Sequence, residues 1–335
     1  MFINKVSTLN ESDSQAEKQC RQAMADAGFA FGNPPVSFHW SQLVNPLGNK
    51  QAAIDAYLAL IEQEPENQSA LEGLSFLYQT LGNHDQARHC RRQQCLSESK
   101  QYDIAESDIP AVVDFMLAKT GDAEAPGRVP AEFLRAHFNR YSDIFDSQLV
   151  GNLKYVGAIK AKQTLLSDPT FITDDSTLLD LGCGTGLVAE QLQGNIKQIV
   201  GVDISDDMLT KAKNKSVYQQ LYHEDIFSFL EQHKKTYQII TAMDVLIYIG
   251  KLDKLFQLVN TKLVSGGRFL FSIELNSTVS NCLRNTGRYQ HSKEYVLDCA
   301  KDAALNMMSC EEFDIRNEQN EPVKSMIFCL EKNDN

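Results

Sequence analysis

The stretch from Thr177 to Gly186, Thr-Leu-Leu-Asp-Leu-Gly-Cys-Gly-Thr-Gly, constrains this chain more than any other. Leu178 and Leu179 read as the end of a buried strand, and Leu187, Val188 and Ala189 start a helix, so Gly182, Gly184 and Gly186 fall in the turn between them. Alternating glycines let the backbone turn sharply and approach a ligand closely, because a side chain at any of them would fill space the ligand needs. The spacing is Gly-x-Gly-x-Gly, with Asp180 before the first glycine, and not the Gly-x-Gly-x-x-Gly of the dinucleotide fingerprint. That difference argues against NAD.

The chain beyond Gly186 supplies companions in order. A second apolar run, Ile199 to Val202, ends in Asp203, about 17 residues after the last glycine. His223-Glu224-Asp225-Ile226 would end a third strand. Asp-x-Gly-x-Gly-x-Gly with these companions resembles the first motifs of class I S-adenosylmethionine (SAM) dependent methyltransferases, and residues from about 130 to 332 look like the bacterial TPR-linked members of that family.

The resemblance implies SAM as cofactor and assigns roles to individual residues. Asp203 would accept hydrogen bonds from both ribose hydroxyls. Asp225 would meet the adenine amino group, with Ile226 beside the ring. Asp180, Gly182, Cys183, Gly184, Gly186, Ile204 and Met208 join the same cofactor-binding set, and backbone carbonyls near Ala242 and Met243 would hold the SAM ammonium. Phe138 to Asp146 looks like the preamble that many small-molecule methyltransferases place over SAM, which makes Tyr141 a candidate lid residue. Aromatics packing a helix onto a core would also explain that pattern.

Strand patterns near 177–182, 198–203, 219–223, 237–243 and 267–274 alternate with helical ones, which implies a parallel sheet covered on both sides, with ligands at the carboxyl ends of its strands. Residues 306–312 and 324–330 read as two further strands around a turn at 317–321, and they resemble the antiparallel terminal hairpin of the methyltransferase sheet. The expected fold is therefore α/β: a seven-stranded, mostly parallel, Rossmann-like methyltransferase sheet behind an N-terminal all-α TPR-like region. The expected domains are 1–96 (TPR-like helices), 97–130 (a linker with a short helix near Ile109 to Lys119) and 131–335 (the methyltransferase domain).

The first of these rests on an internal repeat. Gly48 and Gly82 lie 34 residues apart, as do Ala53 and Ala87. Ala53-x-x-x-Tyr57 with Pro65, and Leu71-x-x-Leu74-Ser75-x-x-Tyr78, resemble TPR positions where small residues let two helices approach and an aromatic fills the gap. Leu71, Ser75 and Arg91 depart from that pattern, and two repeats are fewer than such arrays normally need, so these helices are expected to lean on neighbours. They are either a protein-binding face or a cap on the enzyme or its homodimer. His84, His89, Cys90 and Cys95 are close in sequence, but their spacing on one helix does not suit a shared metal, and none is expected.

Composition narrows the partners. A formal net charge of -12 over 335 residues argues against a large phosphate-binding surface, so nucleic acid is a disfavoured partner. Eight cysteines lie scattered without Cys-x-x-Cys spacing and read as reduced thiols. With no apolar run long enough for a signal peptide or membrane span, the expectation is a cytoplasmic protein without a membrane partner.

The acceptor side is less determined. Thr241 to Ile249 comes after the fourth strand and, by the resemblance, passes beside the methionine part of SAM and the substrate. It lacks Asn-Pro-Pro-Tyr and the Pro-Cys pair of cytosine-C5 enzymes. Gly287-Arg-Tyr-Gln-His-Ser292, a stretch that also recurs in the TPR-linked proteins, is either a loop and helix cap or a substrate lip. On the second reading Arg288 would fork onto a carboxylate, Tyr289 or His291 would orient or deprotonate a nucleophile, and Tyr248 would complete the acceptor pocket. Two functions are open: methyl transfer from SAM to O, N or C of a small molecule or peptide, or a binding and assembly protein that keeps the fold as scaffold.

Overall fold

The computed structural model describes residues 14–26, 50–168, 170–173, 175–318 and 321–333. Gly48 of the repeat falls outside them. The chain divides into two compact units, Met1–Val113 and Asp114–Asn335.

The first unit is helical: α1 (Gln15–Asp26), α2 (Lys50–Gln63), α3 (Gln68–Thr80) and α4 (His84–Ser99). Asn67 caps α3 by accepting from the Ala70 amide at 3.0 Å. Ala53, Ile54, Tyr57, Ala70 and Leu74 form its core. A Cβ at Gly73 would lie 2.5 Å from the Tyr57 ring, so a glycine is what lets α3 seat that aromatic. A fifth helix, α5 (Ile109–Lys119), contains the boundary between the units. The short helix expected in 109–119 is therefore present.

In the second unit α6 (Ala131–Tyr141) continues into irregular helical turns at Ser142–Ile144 and Ser147–Asn152, and then α7 (Gly157–Leu166). Strands and helices then alternate: β1 (Thr177–Leu181), α8 (Leu187–Leu192), β2 (Gln198–Asp203), α9 (Asp206–Asn214), β3 (Gln220–His223), α10 (Ile226–Gln232), β4 (Tyr237–Ala242), α11 (Asp253–Lys262) and β5 (Leu263–Leu275). After β5 come β6 (Asn281–Leu283), β7 (Tyr289–His291), α12 (Lys293–Asp302), β8 (Leu305–Glu318) and β9 (Glu321–Lys332). The sheet runs β3-β2-β1-β4-β5-β7-β6, and β9 pairs with both β5 and β8. It is Rossmann-like and mostly parallel.

Strands buried on both faces divide their side chains between two cores. Leu179, Leu181, Ile240, Phe269 and Phe271 enter one, and Leu178, Ile239 and Leu270 the other. The order reverses between β1 and β4, so a crevice opens at the carboxyl ends of these two strands, where such sheets hold ligands.

The sheet has nine strands where seven were expected. The extra pair is β6 and β7, three residues each, joined antiparallel through Cys282 and Gln290, with β7 continuing parallel to β5 at Glu274 and Leu275. Three residues carry no readable alternation, and Gly287, at φ +81°, supplies the turn that made the stretch look like a loop. Ser292 does cap the following helix, accepting from the Tyr295 amide at 3.1 Å. No helix among the described residues is long and apolar enough to cross a membrane.

Candidate functional site

A cavity of about 340 Å³ opens at the β1/β4 crevice. Its lining includes Tyr141, Asp180, Gly182, Cys183, Gly184, Asp203, Ile204, Met208, Asp225, Ile226, Met243, Tyr248 and Arg288 from the sequence expectations. Gly186, Ala242, Tyr289 and His291 do not line it.

The three glycines of the loop all have positive φ, but each for a different neighbour. A Cβ at Gly182 would strike Val245 at 2.5 Å, and one at Gly186 would meet Tyr218 at 2.9 Å, so both are glycine because protein packs there. At Gly184, φ +52°, the nearest atom a Cβ would meet is in Phe145, 4.0 Å away. Only at Gly184 does the glycine hold space open in front of the cavity.

Asp203 fixes that loop. Its Oδ2 accepts the Gly184 amide at 2.7 Å and its Oδ1 accepts the Ser205 amide at 2.8 Å. Burial raises its pKa, and the amides of Ser205 and Gly184 oppose that rise. Beneath it Asp180 accepts from the Thr241 hydroxyl at 2.7 Å and the Tyr218 hydroxyl at 2.8 Å. Burial pushes its pKa up to about 6 against those two donors. Ser205 caps α9 through the Met208 amide and donates to Asn139 of α6 at 2.7 Å, tying the preamble to the β2 end.

Asp225 is more occupied than expected. It caps α10, accepting from Phe227 and Ser228, and both its oxygens lie 2.9–3.0 Å from one nitrogen of Arg128. The Arg128 guanidinium also lies over the Phe227 ring at 4.7 Å. Arg128 belongs to the stretch read as linker, and its neighbours are equally fixed: the Val129 amide donates to Tyr248, and the Gly127 carbonyl accepts from Gly250 and Lys251. The end of that linker is therefore a wall of the site, a role that Gly and Pro punctuation concealed.

The floor was not visible in the sequence. Arg316 of β8, nearly fully buried, donates from one nitrogen to both Asp244 oxygens at 2.8 and 2.9 Å, from the second to Glu274 and from the third to Glu318 at 2.7 Å. Arg288 donates to Glu274 at 2.8 Å and to Glu318. The carboxylates of Asp244 and Glu274 hold Arg316 well above its usual pKa against the desolvation that would lower it. Three carboxylates face two guanidiniums, leaving one negative charge in excess. The expectation that Arg288 receives a substrate carboxylate is thereby corrected, because its charge is offset within the protein.

His291 and Tyr289 are corrected too. The β7 register turns both inward, to 0% and 1% exposure. His291 Nε2 bonds the Ile249 carbonyl at 2.8 Å, its Nδ1 has no partner among the described residues, and burial lowers its pKa to about 4. The Tyr289 hydroxyl donates to the Pro126 carbonyl, and burial raises its pKa to about 12. Both are props behind the cavity. Tyr248 does line it, with its ring edge-on to Phe138 at 5.6 Å and its pKa raised to about 12 by burial.

On the other side, α6 presents Leu134, His137, Phe138 and Tyr141 to the cavity, a one-face spacing of three, one and three residues. His137 sits in that stripe and was missed. The apolar pattern around it was legible, and extending it by one helical step from Leu134 would have found it.

Comparison with known proteins agrees with this geometry. Residues 151–314 match the family model described as methyltransferase domain. The chain is similar to the ubiquinone biosynthesis O-methyltransferase of Coxiella burnetii (31% identity over 98 residues, 28% of this chain and 42% of that protein). It is also similar to the Aliivibrio fischeri protein of the same name (30% over 111 residues, 32% and 47%). The chain thus spans less than half the length of these curated relatives. Among solved structures, magnesium protoporphyrin IX methyltransferase from Synechocystis PCC 6803 with bound SAM is 16% identical, with a TM-score of 0.48 over 61% of this chain and 97% of that one. The match to a methyltransferase domain covers just under half of this chain.

Proposed function

We propose that the unit Asp114–Asn335 binds SAM in the cavity and transfers its methyl group to an oxygen, nitrogen or carbon of a small molecule or peptide. The observation that carries this reading is Gly184. Its amide is held by the Asp203 carboxylate and its missing side chain leaves room at the mouth of a cavity, at the strand ends where a matched methyltransferase domain lies.

The residues present fit the cofactor. Each Asp203 oxygen already accepts one backbone amide and keeps a lone pair for the ribose hydroxyls. Ile204, Met208 and Ile226 offer apolar contact, and Asp225, fixed by Arg128, keeps a carboxylate at the adenine end. When bound, SAM supplies a methyl group already activated on a sulfonium, so the chain's own task is placement at about 3 to 3.5 Å and exclusion of water. Phe138, Tyr141 and Phe145 from the preamble contribute the exclusion, with Tyr141 as the most exposed of the three.

The helices of Met1–Val113 are read as TPR-like, supported by the Ala53, Tyr57 and Gly73 packing. Eight cysteines, none in a disulfide among the described residues, support a reducing, cytoplasmic setting.

Calorimetric titration with SAM tests the reading. Asp203→Asn keeps an acceptor for one amide but loses the charge, and should weaken binding by about 1.5 to 3 kcal/mol. Unchanged affinity would remove Asp203 from the site, and no binding by the unaltered protein would remove the function.

A further inference from the structure

The polar groups around the cavity fall into two classes. Those of the floor, Asp244, Arg288, Arg316 and Glu318, satisfy one another. The two ring nitrogens of His137 and the hydroxyl of Tyr248 have no hydrogen-bond partner among the described residues, and both side chains border the cavity. They flank one ring: Phe138 lies 5.4 Å from His137 and 5.6 Å from Tyr248, edge-on to both. Tyr141 adds a further aromatic wall, 4.7 Å from His137. A cavity polar group without a partner costs free energy unless a ligand or water supplies one.

We propose that His137 and Tyr248 form the acceptor subsite, that its ligand is a neutral planar phenol, and that a ring nitrogen of His137 takes the phenolic proton. The assignment rests on the methyl-transfer reading of the same cavity. In the step, the phenolic oxygen forms a bond to the methyl carbon as the methyl–sulfur bond breaks. The sulfonium becomes a neutral thioether, and the hydroxyl proton passes to His137 and then to water. The Tyr248 hydroxyl donates to the phenolic oxygen and orients it.

Three arguments select a phenol. The walls Phe138, Tyr141 and Tyr248 favour a planar apolar body, because aromatic rings pair edge-on or offset at these distances. A carboxylate acceptor would need an available cation, and both arginines of the floor are already committed to carboxylates. An ammonium would approach a histidine facing Arg140 of its own helix and Lys119 of α5. Burial first, and then nearby positive charge, lowers the His137 pKa, so the ring rests in the neutral form that a general base needs.

The test uses the full-length protein, labelled with nitrogen-15 in its histidine rings and loaded with S-adenosylhomocysteine. Three probes of one shape are added: 2-naphthol, 2-naphthoate and 2-naphthylmethylamine. The His137 signals are identified by their loss in His137→Gln. We expect 2-naphthol alone to shift them, and Tyr248→Phe to weaken its binding several-fold. With methyl-labelled SAM, His137→Gln should form methoxynaphthalene about 10²-fold more slowly and lose the acid limb of the pH–rate profile. The proposal is overturned if 2-naphthol leaves His137 unmoved, if the anion or the amine binds more tightly, or if His137→Gln keeps both rate and acid limb. A protein that binds neither SAM nor its product sinks the methyltransferase reading instead. One that binds them but ignores 2-naphthol sinks only the phenol subsite.

Discussion

The two halves of the cavity are built by different means. The cofactor half comes from short runs of sequence, 180–184, 203–208 and 225–226, each at the carboxyl end of one strand; Asp203 and Asp225 hold backbone amides, while Asp180 and Asp225 also take side-chain donors. The acceptor half is assembled from α6, the end of the apparent linker, the turn after β4, the β6–β7 turn and β8, and the ion pairs of its floor join side chains from separate strands and turns. A site made from local backbone tolerates surrounding change as long as the loop keeps its shape. A site made from distant side chains depends on every strand being in register.

The floor should show the largest effect. Arg316→Met leaves Glu274 and Glu318 with only Arg288 and strips Asp244 of its guanidinium, and breaking a buried ion network by removing one partner costs about 3 to 5 kcal/mol. Urea unfolding should show that loss, while SAM affinity of the folded fraction stays within a few fold. A variant as stable as the parent would mean that the network does not hold the acceptor half together.

His291 should give a smaller, pH-dependent effect. Its folded pKa of about 4 lies below the 6.5 of the free side chain, so the stability tied to its neutral form is complete above pH 6.5 and is lost as pH falls towards 4. A displacement of that size corresponds to about 3 kcal/mol at full protonation. Asp180, pushed up to about 6, works in the opposite sense, gaining stability as it is protonated, so the comparison must be between proteins. His291→Gln should flatten the acid loss of stability relative to the parent between pH 6.5 and 4. Parallel curves would place His291 in contact with solvent.

The smallest change in stability belongs to the cofactor half. Gly184→Ala, at φ +52°, should cost about 1 to 2 kcal/mol of stability yet lose SAM binding, because the new methyl group meets the ligand and not the protein. Gly182→Ala should reverse that balance, since its Cβ strikes Val245. Equal behaviour of the two variants would erase the distinction between a glycine kept for the ligand and one kept for packing.

Much of the cofactor half was determined by the sequence alone. Gly182, Gly184 and Gly186 with Asp180, and acids at 203 and 225, fall where apolar runs end, and each is dictated by neighbours a few residues away. The positions of β1 to β5 and of the terminal hairpin were legible for the same reason, as was the Ser292 cap, but those of β6 and β7 were not. Only the tertiary structure decided the rest. Whether Arg288 is free or paired depends on Glu318, and whether Asp244 is occupied depends on Arg316, 72 residues away. His291 faces a carbonyl and not the cavity because β7 joins β5 in one register, and a shift of a single residue would turn it around. Conformation is set largely by local chain chemistry, but the partner of a charged side chain is set by which strands the sheet order brings side by side.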